Sequence, residues 1–177
     1  MKKLAIAVLF LLQACATRST FDCPDLRALG RASVVRTVAH ENGRPAARGR
    51  ALAGWDDPYN REMPHVRAGT WEYWYDDGAK RAAVTYALSC YIQCCSPGPC
   101  PQVHDYPTGS FILWHRSGAK LGQGTFHTIE QHVDTSCEGG DDTKAGVVSN
   151  TSRFWREDGS AMTLDEARAS GLLLPGW

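Results

Sequence analysis

The 177-residue chain has no long hydrophobic run, no excess of either charge and no local catalytic signature. Its longest apolar stretch, Leu4 to Leu12, is too short to span a membrane as a mature helix. Lys plus Arg and Asp plus Glu number 19 each. The basic residues are scattered, as in Arg44, Arg48 and Arg50, then Lys80 and Arg81, a pattern that reads as a solvated face and gives no sign of a nucleic-acid partner. G-x-S-x-G, H-E-x-x-H, a phosphate loop and a dinucleotide fingerprint are all missing. Triads built from distant residues leave no such motif. A hydrolase would therefore have to place His104, His115 or His127 beside a carboxylate in a pocket. The expectation is a non-catalytic protein with no cofactor and no metal.

What is present begins at the amino terminus. Lys2 and Lys3 precede the apolar run, and Ala14-Cys15-Ala16 follows it, which is the order of an export signal. The tetrad Leu12-Gln13-Ala14-Cys15 resembles the lipobox of bacterial lipoproteins. That resemblance implies cleavage before Cys15, acylation of Cys15 and a bacterial envelope location. Ala16, standing where inner-membrane retention usually involves Asp, implies the outer membrane. Residues 1–14 are thus expected to be a lipoprotein signal peptide, 15–25 a lipidated tether and 26–177 a single domain. Loss of Lys2 and Lys3 leaves 17 basic residues against 19 acidic ones.

Six further cysteines remain: Cys23, Cys90, Cys94, Cys95, Cys100 and Cys137. An even number in an oxidising compartment reads as three disulfides, and spacing does not choose among the pairings. Adjacent cysteines rarely bond each other, so Cys94 and Cys95 are expected to reach different partners. Cys90, Cys94, Cys95, Cys100 and His104 also have ligand types that suit zinc. His127 and His132 with Cys137 are a weaker version, and Asp134, Glu138, Asp141 and Asp142 could offer oxygens to calcium. Export favours disulfides over zinc, and the acidic loop lacks the order of an EF-hand.

The chain also repeats itself. "GTWEYWYDDGAK" (Gly69 to Lys80) and "GSFILWHRSGAK" (Gly109 to Lys120) share the frame G-x-x-x-x-W-x-x-x-G-A-K. Aligning Gly78, Gly118 and Gly159 brings Trp74, Trp114 and Trp155 into register, Trp71 onto Phe111, Tyr73 onto Leu113 and Phe154, and Tyr86 onto Phe126. Each unit reads as strand, tight X-Gly turn, strand. In a strand Trp71, Tyr73 and Tyr75 share one face, and Glu72 and Trp74 the other. One hairpin is marginal in water, whereas hairpins side by side share an apolar face. Asn42-Gly43 sits between two further candidate strands, suggesting a type I′ turn and a fourth unit without the tryptophan.

This frame resembles the bacterial variant of the MORN repeat, over Gly69 to Tyr86, Gly109 to Phe126 and more loosely Asn150 to Met162. Long insertions separate the units here, which predicts a compact sheet with decorated loops rather than a regular ribbon. The resemblance implies an interaction or scaffolding module, and some bacterial relatives look like antitoxin or immunity components. The expected fold is mainly β: an antiparallel sheet of repeated hairpins with disulfide-tied loops and a short C-terminal helix. "LSCYIQCCSPGPCPQVHDYPTG", "QHVDTSCEGGDDTKAG" and "GWDDPYNREMPHVRAG" read as the loops. Thr163 and Glu166 form a capping box for a helix from Leu164 to about Ser170, stopped at Gly171, with Leu172 to Leu174 and Trp177 covering the sheet.

Trp74, Trp114 and Trp155 read as core. Both faces of the first unit carry aromatics, so either loops cover the second face or rings are exposed to a partner. Tyr75, whose equivalents are His115 and Arg156, is the leading exposed candidate, with Trp71 and Tyr73 beside it as partner-binding candidates. A protein partner is expected, and a cell-wall or glycan ligand is the alternative.

Overall fold

The computed structural model describes residues 23–56, 65–95 and 98–174. The signal segment, Cys15, most of the tether, Trp177 and the centre of the loop before the repeats lie outside the described residues. Among those described, one antiparallel sheet of nine strands dominates. A short helix, α1 (Leu26–Ala32), leads into β1 (Val34–Ala39) and β2 (Pro45–Asp56). There follow β3 (His65–Trp74), β4 (Lys80–Cys94), β5 (Pro99–Trp114) and β6 (Lys120–Val133). β7 (Asp141–Val148), β8 (Arg153–Trp155), β9 (Ala161–Met162) and α2 (Leu164–Ala169) complete the order. The strands lie in sequence order from β1 to β6, then β8 and β9, and β7 pairs separately with the far half of β6.

Four hairpin turns have one construction. Gly43, Gly78, Gly118 and Gly159 donate their N–H to the carbonyls of His40, Tyr75, His115 and Arg156, each at 2.9 Å. The latter four donate to the carbonyls of Arg44, Ala79, Ala119 and Ser160, each at 2.8 Å. Among the described residues only glycines have positive φ, and Gly43 is at 79°. A type I′ turn would need positive φ at Asn42 as well, so that expectation is corrected. The turn is of type I, closed by a glycine bulge, the usual three-residue hairpin. Asn42, Asp77 and Asp158 strengthen it by accepting the N–H two residues on, at 3.0, 2.8 and 2.8 Å. The Asn42-Gly43 unit is therefore a full fourth member.

The alternation read from the repeats places the core. Trp71, Phe111, Tyr73, Leu113, Phe154, Tyr86 and Phe126 are buried on one face with Ala82, Val84 and Leu121. The rings of Phe111 and Phe126 lie 5.1 Å apart and those of Phe111 and Phe154 6.1 Å apart. Trp71 lies flat against Gly49, where a Cβ would come within 2.4 Å of the indole. Its Nε1 donates to the Arg50 carbonyl at 2.7 Å. α2 closes this face through Ala167, followed by Leu173 and Leu174. The capping box is formed as expected: Thr163 N–H donates to Glu166 Oε2 at 2.7 Å, and Glu166 N–H to Thr163 Oγ1 at 3.2 Å.

Two segments expected as loops are strands. Leu88–Cys94 pairs with Pro99–Asp105 as an extension of the β4–β5 hairpin. Proline is accommodated because β6 pairs only with Gly109–Trp114, so the other flank of the β5 extension has no ladder to feed. Pro99, Pro101 and Pro107 share one parity, so their missing donors all point the same way. The second insertion likewise forms the β6–β7 hairpin, with only residues 134–140 between its strands. Gly146 of β7 sits where a Cβ would collide with the Pro107 carbonyl at 1.9 Å, so this hairpin lies directly over β5.

The six cysteines pair as Cys23–Cys90, Cys94–Cys137 and Cys95–Cys100. Cys94 and Cys95 do take different partners. The first bridge fixes the start of the domain and α1 to β4, over a second small core of Leu52, Cys90 and Val103 with Leu26, Leu29, Val66 and Leu88 against it. The second staples the two long hairpins together.

Candidate interaction face

The residue after each frame tryptophan has an unforeseen use. His40 Nε2 meets the Trp74 carbonyl at 3.0 Å, Tyr75 Oη donates to the Trp114 carbonyl at 2.9 Å, and His115 Nε2 meets the Trp155 carbonyl at 2.9 Å. Each hairpin thus hydrogen-bonds the next, one period along. A carbonyl only accepts, so both histidines present Nε2–H. Arg156 ends the series, bonding the Ala161 carbonyl at 2.8 Å and Glu166 at 2.6 Å.

This geometry corrects the expected partner-binding set. His115 is 5 % exposed, Trp71 0 % and Tyr73 6 %, so none presents a surface to a partner. Trp71 and Tyr73 belong to the core, and His115 is buried because it links two hairpins. Tyr75 is half-buried under the same role, with the guanidinium groups of Arg116 and Arg81 4.8 and 5.6 Å from its ring centroid. Of the five, Arg156 alone is exposed, and it is engaged by Glu166.

The tryptophans expected in the core are on the opposite face. Trp74 pairs with Lys80, Trp114 with Lys120 and Trp155 with Ala161, all out of phase with the core residues. All three are half-buried. Each is two strands from the next, which sets a step of about 10 Å. In-register neighbours fill the surface between them: Ile112 is 37 % exposed beside Gln123, and Arg48 lies opposite Glu72. Lys80 places its ammonium 5.3 Å from the Trp114 ring centroid and 2.6 Å from Glu72 Oε1. Arg153 pairs with Gln123 at the far side. Arg48, Lys80, Lys120 and Arg153 thus stand on this face against Glu72. The cations were missed because they fall in four different strands, and only the register brings them together.

At the turn edge, Arg116 reaches Asp76 at 2.5 Å and Asp77 at 2.9 Å. The Arg116 hydrogen bond holds the Asp76 carboxyl below the usual carboxylate range, and the Ala79 N–H does the same for Asp77. Arg44 donates to the Asp77 carbonyl and Asn42 to the Asp76 carbonyl, tying the first turn to the second.

The histidines weighed for catalysis serve other contacts. His104 Nε2 meets Thr143 Oγ1 at 2.6 Å, and Thr143 in turn meets Ser89 Oγ at 2.8 Å, a polar link between β7 and the β4–β5 extension. His104 Nδ1 meets the Asp105 carbonyl at 3.2 Å, and the Asp105 carboxylate turns to Arg67. His127 is exposed on β6. His115 lines a cleft of about 570 Å³ with Glu157 and Glu166, but its Nε2 is spent on Trp155. Asp141 accepts the Ile92 N–H at 2.6 Å and Asp142 meets exposed His132 at 2.9 Å, so these two loop carboxylates serve the hairpins. Among the described residues no three His, Cys, Asp or Glu side chains converge as a metal site.

No protein-family model matches the chain, no curated protein matches it, and no solved structure matches it. The geometry of its own residues is therefore what points to a function.

The sequence also hid a buried network behind this face. Arg67 Nη2 meets Asp105 Oδ1 at 2.6 Å, its Nε meets both carboxylate oxygens, and its backbone N–H donates to Oδ2 at 2.6 Å. The guanidinium lies 3.8 Å above the Tyr86 ring and donates to Tyr73 Oη, which donates to Tyr86 Oη at 2.9 Å. Burial pushes both phenols upward from their ordinary range. A single arginine crosses β4 and locks β3 to β5.

Proposed function

We propose that this chain is a non-catalytic, lipid-anchored envelope protein whose hairpin sheet binds a protein partner through the face of Trp74, Trp114 and Trp155. The observation that carries the reading is the composition of that face: three half-buried indoles and Ile112, with Arg48, Lys80, Lys120 and Arg153 against Glu72. Tryptophan and arginine dominate binding energy at protein interfaces. Excess positive charge selects an acidic surface and speeds its capture. The partner is therefore a protein presenting carboxylates around an apolar centre. An incoming toxin domain neutralised at the envelope is one such partner. Export and acylation of Cys15 rest on the apolar leader and the Leu12–Cys15 tetrad, the outer membrane on Ala16, and the six cysteines joined as disulfides suit an oxidising compartment.

The test is affinity capture. The oxidised chain from Ala16 is incubated with detergent-solubilised envelope and with secreted fractions of its source, and retained proteins are identified by mass spectrometry. The reading predicts one protein held near one-to-one, weakened by salt and lost in Trp74→Ala with Trp114→Ala. Retention that survives those changes defeats it. A wall or glycan ligand is the second reading, favoured by the even step of the three indoles. It predicts sedimentation with purified wall, abolished by the same substitutions, and no protein retained.

A further inference from the structure

The amino-terminal part of the described domain is rich in arginine. From Asp25 to Leu52 there are six arginines, no lysine and only two carboxylates, Asp25 and Glu41, although the whole chain has a net charge of zero. Asp25 is committed to capping α1, accepting the N–H groups of Arg27 and Ala28 at 2.9 and 3.2 Å. Glu41 sits in the first turn, at the other end of β1 from α1. Arg27 and Arg31 are exposed on α1. Arg50 reaches the same corner, with Nε donating to Ser33 Oγ at 2.8 Å. Arg27 and Arg50 both line a cleft of about 320 Å³ between α1 and the sheet, with Leu26, Ser33, Tyr86 and Leu88.

We propose that this corner, Arg27, Arg31 and Arg50, docks the domain onto an anionic bilayer surface, with the lipid phosphates as its ligands. The inference rests on the anchored reading for its geometry. Cys15 precedes Cys23 by eight residues, which span at most about 29 Å even when fully extended. The Cys23–Cys90 bridge fixes the end of that span to β4 beside α1. An acyl chain on Cys15 therefore keeps this corner within that distance of the headgroups. Charge complementarity selects the occupant, because guanidinium groups pair well with phosphate oxygens. A basic surface is also the second signal that makes a lipid anchor stable.

The test uses the chain from Cys15 onward carrying Cys15→Ser, so that no acyl chain contributes. It is sedimented with vesicles of phosphatidylcholine alone and of phosphatidylcholine mixed with phosphatidylglycerol, at low and physiological salt. Arginine near an anionic surface is worth about fivefold in partitioning per residue. Wild type should favour the mixed vesicles, and combined Arg27→Gln and Arg31→Gln should lose about twenty-five-fold. Lys80→Gln with Lys120→Gln, at the turn end of the sheet, should bind as wild type. Equal partitioning onto neutral and anionic vesicles, or a double variant that binds undiminished, overturns the proposal. Mass spectrometry of the native amino terminus separates the two readings. Acylated Cys15 without arginine-dependent binding leaves the anchor and removes the surface; arginine-dependent binding without acylation does the reverse.

Discussion

Replacing Arg67 by Met keeps the aliphatic stem and removes the guanidinium from a network in which its side chain is 20 % exposed and that of Asp105 9 %. The Asp105 carboxylate would keep the backbone N–H of residue 67 and lose every side-chain donor that reaches it from there. Tyr73 Oη would lose its contact with Nη1, and Tyr86 the cation over its ring. Breaking a buried pair from one side costs about 3–5 kcal/mol, because the remaining charge stays buried. At about 2–4 °C per kcal/mol for a domain of this size, that is roughly 6–20 °C in Tm. The pair itself contributes much less than that figure, since apolar replacements of both partners are often neutral. Arg67→Met combined with Asp105→Leu should therefore recover most of the loss, leaving about 1–3 kcal/mol for the unpaired N–H of residue 67. Urea unfolding of the oxidised protein, followed by tryptophan fluorescence, gives the full double-mutant cycle. A single-variant cost below about 1 kcal/mol, or a double variant no better than Arg67→Met, refutes the assignment of a buried, coupled pair.

Three further outcomes follow from the same geometry. Gly49→Ala should destabilise by about 1–3 kcal/mol in thermal melts, because its Cβ would overlap the Trp71 indole. Tyr75→Phe removes the hydroxyl that links the second and third units at the Trp114 carbonyl, and should lower stability by about 0.5–1.5 kcal/mol without changing the far-ultraviolet dichroism. The Thr163 N–H and hydroxyl hold the Glu166 carboxyl below its ordinary range, so its contribution is present above the unfolded-state pKa and lost as pH falls through the lower folded value. Hydrogen exchange in α2 should therefore accelerate as pH falls below about 4, after correction for the intrinsic rate, and Glu166→Gln should shrink that change.

The parts legible in the sequence were those fixed by short-range geometry. A glycine demanded by positive φ, with strand alternation on either side, placed the hairpins, put Trp71, Phe111 and Phe154 on matching rows and revealed the capping box of α2. Burial was harder to read, because alternation separates two faces without saying which is covered. The frame tryptophans looked like core, yet Ala167, Leu173 and Leu174 close the face of Trp71 instead. His115 looked like surface, yet its imidazole is enclosed where it bonds Trp155. Proline misled at Pro99–Pro107, since an open strand flank tolerates it. α1 escaped notice because seven residues carry only Leu26 and Leu29 as an apolar signal. Disulfide pairing, the Arg67–Asp105 lock and the cationic rows all depend on register between distant strands, which no local pattern encodes.

The central claim is that the tryptophan face is where a partner binds. Hydroxyl-radical footprinting of the oxidised protein, alone and saturated with its captured envelope partner, measures this directly. The account predicts that oxidation of Trp74, Trp114 and Trp155 falls sharply in the complex while Val34, exposed on the edge strand and opposite Ala51 of the core face, is unchanged. Unaltered oxidation of the three tryptophans, with protection appearing elsewhere on the domain, would contradict it.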